Sequence, residues 1–163
     1  MSVSPLRRHR ASVRAISSPE SLIRSAEVIV RVRAEGLSST PGLAGILAES
    51  PTQVGFVILD SLKGYLPSAT LVFNGSLTDR DERNRDQVPF GHVRSSGSAG
   101  CFALEYRRGA EYVLFLRRGD HSSYAQSEQL TPYWAPLGPT NEQLFGGGSD
   151  PWLIWVRGLL RTR

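Results

Sequence analysis

Few residues in this chain have the types and spacing that chemistry requires. The histidines are His9, His92 and His121, and none has a second His, Cys or carboxylate at metal-ligand spacing. They read as exposed loop residues. Asp79-x-Asp81 begins like a calcium loop, but the next ligand position holds Arg83 and the glycine position holds Asn84. Gly146-Gly147-Gly148-Ser149 precedes a helical pattern, where free N–H groups can bind an anion. No Gly-Lys-Ser/Thr follows, so the stretch reads as a flexible turn and not as a phosphate loop. No G-x-S-x-G is present to mark a nucleophile elbow. Cys101 is the single cysteine, with no His or Lys beside it and Arg107 and Arg108 six and seven positions away, and it reads as a buried, inert thiol. Tyr133, Trp134, Phe145, Trp152 and Trp155 gather near the C-terminus. Such a cluster can stack bases, but Trp at helical spacing favours an aromatic plug between a closing helix and a barrel. These residues call for no cofactor and no metal.

The charge separates two regions. Of the 163 residues, 19 are Lys or Arg and 15 are Asp or Glu, a formal net charge of +4. Arg7, Arg8, Arg10 and Arg14 fall in the first fourteen residues, which hold no acid. Without them, 15 basic residues face 15 acidic ones, and the body is neutral. A nucleic-acid barrel normally carries a basic stripe on the fold itself, so a nucleic-acid partner is disfavoured. Lys63 is the one lysine. No run of about 18 apolar residues exists to form a transmembrane helix. No apolar run follows Arg14 either, so the chain as given shows no export signal.

Residues 1–16 read as a disordered basic arm and residues 17–163 as one domain. Hydrophobic residues make up 40% of the chain, enough for a core, and 16 Gly with 10 Pro point to the many turns of a strand-rich fold. Ser18-Pro19-Glu20 is a helix start, with Ser as N-cap and Pro at the first position, and the helix ends near Ser25. Alternation over 27–35 predicts a strand with Val28, Val30 and Val32 facing the core. Residues 36–53 read as a loop with a helical turn at 43–47, 54–62 as a second strand, 63–67 as a turn and 70–73 as a third strand, stopped by Asn74-Gly75. The long segment 76–100 centres on a mixed-charge run, 79–87, and reads as a solvated and mobile or decorative connection. Residues 111–116 predict a fourth strand and 122–126 a fifth, while 131–148 reads as irregular. Asp150-Pro151 opens a final helix whose Trp152, Trp155, Val156 and Leu159 share one face.

The order of three segments is similar to that of a known family. A short helix runs into SAEVIVRVRAEG (25–36), then FVILDSLKGYLP (56–67), then a loop with a cysteine before RRGAEYVLFL (107–116). This resembles the netrin-like, TIMP-like family, in a bacterial-type form without the N-terminal Cys-x-Cys. The resemblance implies an OB barrel packed by flanking helices and a protein of a usually exported family. It does not carry over the inhibitor mechanism. The first cysteine that would hold a metalloprotease zinc is replaced by Ala15-Ile16-Ser17-Ser18, and Cys101 stands where a family cysteine would pair with it.

The expected fold is therefore mainly β: a five- to six-stranded OB-type Greek-key barrel with a short N-terminal helix and a C-terminal amphipathic helix. The expected function is non-enzymatic binding of a protein partner. Its expected surface is the barrel rim, carried by Arg80, Arg83, Arg85 and His92 of the long segment with Arg7, Arg8, Arg10 and Arg14 of the arm. Two rivals stand beside it: single-stranded nucleic-acid binding through the arm and the aromatic cluster, and a small hydrolase with an unrecognised site.

Overall fold

A computed structural model describes residues 18–37, 53–74, 76–91, 105–118, 134–136 and 142–162. The expected helical turn at 43–47, the expected strand at 122–126 and Cys101 lie outside the described residues.

Helix α1 (Pro19–Ser25) starts where its caps predict: the Ser18 hydroxyl accepts from the Ser21 N–H, and Pro19 fills the first turn, where an N–H has no helical partner. Strand β1 (Val28–Leu37) pairs antiparallel with both β2 (Gln53–Lys63) and β6 (Glu111–Arg118), and β2 pairs with β3 (Thr70–Asn74). Strands β7 (Trp134–Pro136) and β8 (Gln143–Leu144) pair with different parts of β6. The stretch expected to be irregular thus contributes two short strands, because β6 offers a free edge to pair with. Strands β4 (Ser76–Thr78) and β5 (Glu105–Arg107) form a separate parallel pair. Helix α2 (Pro151–Arg161) closes the chain.

The expected closed barrel is not formed by these strands. The main sheet runs β3-β2-β1-β6-β7 and its two ends do not join among the described residues. What stands among the described residues is a mainly β fold with an antiparallel sheet and two helices. The β1–β2 register shifts at three places, between Ile29 and Val30, Arg31 and Val32, and Ala34 and Gly36.

The core has two halves, one on each face. On β1, Val28, Val30, Val32 and Ala34 point to one side, where they meet Val54 and Phe56 of β2, Leu71 of β3, Tyr106 of β5, and Tyr112, Leu114 and Leu116 of β6. On the other side, Ile29, Val113 and Phe115 meet Leu22 and Ile23 of α1, and Trp152, Leu153 and Val156 of α2. Both faces of β6 are thus buried, which accounts for its unbroken apolar run. Helix α2 therefore does not plug the end of a barrel as expected; it lies with α1 across the outer face of the sheet. Trp152 is buried, and Trp155 stacks on it at 5.2 Å. Arg157 leaves this stripe but is not a free surface charge, since its guanidinium pairs with Asp60 of β2 at 2.6 Å.

Lys63 and Gly64 hold the helix side together. The Lys63 ammonium donates to the carbonyls of Ile23 (3.0 Å), Arg24 (3.4 Å) and Ala26, the end of α1. Gly64 has φ 73°, and a Cβ there would lie 2.3 Å from the Glu27 carbonyl oxygen. Only glycine combines that backbone angle with so close an approach. The sequence LKG after an apolar strand is thus the clamp that joins β2 to the α1–β1 junction.

Candidate binding surface

Of the residues expected at the binding surface, Arg80, Arg83 and Arg85 are described, and all three are exposed. Arg7, Arg8, Arg10, Arg14 and His92 lie outside the described residues. The three arginines belong to 79–91, which follows β4 and has no regular secondary structure.

The long segment 76–100 was expected to be mobile or decorative, and its described part, 76–91, is tied down instead. Asp81 Oδ1 lies 2.9 Å from Arg107 Nε on β5, a charge pair whose N–H does not point along the contact. The same oxygen accepts from Gln143 Nε2 at 2.7 Å, while Gln143 Oε1 accepts from the Glu82 N–H at 3.3 Å. One side-chain amide on β8 is therefore used at both ends, which fixes its orientation. Asn84 Nδ2 donates to Glu142 Oε1 at 3.0 Å, and its own carbonyl oxygen accepts from the Asp86 N–H. Glu142 is only 2% exposed, so its carboxylate must be hydrogen-bonded there or carry a large desolvation cost. At the far end, Phe90 is buried against Trp152, with ring centroids 5.0 Å apart.

Arg83 rests over the ring of exposed Phe145, its guanidinium carbon 4.9 Å from the centroid. Such contacts contribute about 0.5–1 kcal/mol at exposed sites, enough to restrict a long side chain. Arg80 pairs with Glu105 at 3.6 Å with both side chains in water, a contact of little energetic weight. Asp79, Asp81, Glu82 and Asp86 stand among the three arginines, so 79–91 presents both signs and no basic stripe.

Beneath the segment, the Arg107 backbone N–H donates to Tyr112 Oη at 2.8 Å. Burial pushes the Tyr112 hydroxyl up to about 12, against the opposing effect of that hydrogen bond. Burial, with a smaller effect of neighbouring Tyr112, also raises the Tyr106 hydroxyl well above the usual phenol range. Both tyrosines belong to the core cluster around Val28, Val30 and Val32.

The other sequence candidates resolve differently. The Gly146–Ser149 stretch is no anion site: its Gly147–Ser149 part is a 3-10 turn, and the Asp150 carboxylate accepts from the N–H groups of Phe145, Gly146 and Trp152. The protein's own carboxylate occupies the place an anion would take. Gly147 and Gly148 lie against the Arg31 guanidinium, which is paired with Glu111 at 2.7 Å. In Asp79-x-Asp81, the second carboxylate is engaged by Arg107 and Gln143. Among the described residues no group of three or more His, Cys, Asp or Glu could hold a metal ion. Of the aromatic cluster, Trp152, Trp155 and Phe145 do not form one platform, since Trp152 is buried and stacked on Trp155 while Phe145 faces solvent under Arg83. Tyr133 lies outside the described residues. No helix of the described residues is long and apolar enough to cross a membrane.

Sequence reasoning picked out the arginines of 79–87 but missed the residues that hold them. Gln143, Glu142 and Arg107 lie far along the chain from their partners, and no periodicity or motif announces such pairs. Comparison with protein-family models, with curated protein sequences and with solved structures finds no match.

Proposed function

We propose that this protein is a non-enzymatic binding module that takes a protein partner through residues 79–91. One observation carries the reading: an exposed, charge-dense segment without regular structure is held to the fold from β5, β8 and the core beside α2. A surface fixed in this way presents its side chains without the ordering cost that a free loop would incur on binding. Loops on rigid scaffolds are also where binding function concentrates. Arg80, Arg83 and Arg85 are the side chains it offers, with Arg83 steadied by Phe145. The mixed signs of the segment suit a partner surface that is itself mixed and polar. The netrin-like, TIMP-like OB module goes with this proposal as its fold reading. It is supported by helices at both ends and by an antiparallel sheet whose first strand pairs with the second and with a later one. Metalloprotease inhibition is not part of it, because Ala15-Ile16-Ser17-Ser18 stands where the resembled family has its zinc-holding cysteine.

The test is affinity capture with the full chain, followed by isothermal titration of the purified partner against the parent and against Arg80→Ala/Arg83→Ala/Arg85→Ala. The triple variant should keep its melting temperature and bind at least about tenfold more weakly, about 1.4 kcal/mol. A partner that binds both proteins equally would overturn the assignment of the surface. The nucleic-acid rival is tested by titrating a labelled oligothymidylate. Any binding should vanish when residues 1–14 are deleted, and its salt slope should not exceed about −3 to −4 in the full chain. Tight binding by the truncated protein would favour the rival.

A further inference from the structure

No further inference is drawn: the strongest candidate, the exposed Arg83–Phe145 stack where residues 79–86 run beside 142–145, belongs to the surface already proposed, and with Asp79, Glu82 and Asp86 around it nothing in the structure shows what covers it.

Discussion

Replacing Lys63 by Met removes the ammonium that closes the end of α1 and keeps most of the aliphatic stem. The helix has only seven residues and no glycine after it; Ala26 follows in an extended conformation. Its last carbonyls therefore lack the usual backbone cap. The Ala26 N–H satisfies the Leu22 carbonyl, and Lys63 reaches those of Ile23, Arg24 and Ala26. The Arg24 contact is exposed and long at 3.4 Å and adds little. The other two are half-buried and charge-assisted. A hydrogen bond to a charged group contributes about 1.5–3 kcal/mol net, and water reaching a half-buried carbonyl recovers part of the loss. Lys63→Met should therefore cost about 2–4 kcal/mol, a large share of the roughly 5–15 kcal/mol that holds a domain folded. For a chain of this size the melting temperature should fall by roughly 5–15 °C. Urea unfolding followed by tryptophan fluorescence measures the free energy, and hydrogen exchange at the Leu22 and Ala26 amides reads the helix directly. Lys63→Arg should recover only part of the loss, because a planar fork cannot converge on the same carbonyls. A Lys63→Met protein within about 0.5 kcal/mol of the parent, the range of ordinary surface substitutions, would refute the clamp.

The remaining predictions concern α2 and the tyrosines. Trp152→Ala should cost about 3–5 kcal/mol in urea melts, and Trp155→Ala less, since Trp152 is buried and Trp155 only partly covered; equal losses would mean that the stripe packs differently. Asp150→Ala removes the N-cap and orphans the N–H groups of Phe145, Gly146 and Trp152, so a loss of about 1–3 kcal/mol is expected; a neutral result by the same melts would show that water replaces the carboxylate. Stability should fall as pH rises from 10 to 12, because over that window the unfolded chain releases the Tyr112 proton while the folded protein keeps it. The contribution is intact below pH 10, and phenolate absorbance should show Tyr112 and Tyr106 ionising only as the protein unfolds; early ionisation would show that they are open to water.

Local structure was legible wherever its cause was local. Ser18-Pro19 and Asp150-Pro151 mark both helix starts because capping involves residues only two or three apart. The alternation of β1 shows which side chains face the inner core, since a strand's period is two. Other decisions belong to the path of the chain. The pattern named Val28, Val30 and Val32 as core, yet Ile29 is equally buried, because α1 and α2 cover the second face of the sheet. The apolar run of β6 is compatible with several environments, and only burial on both sides settles which one it has. The glycines before α2 read as a flexible turn, and only the fold shows the Asp150 carboxylate gathering the N–H groups of Phe145, Gly146 and Trp152 around it. The proposed binding surface shows the same division. Its arginines stand in the sequence as a charged run, but the ties from Arg107, Glu142 and Gln143 join residues tens of positions apart. No propensity or period extends that far, so the tertiary fold alone turns the run into a fixed surface.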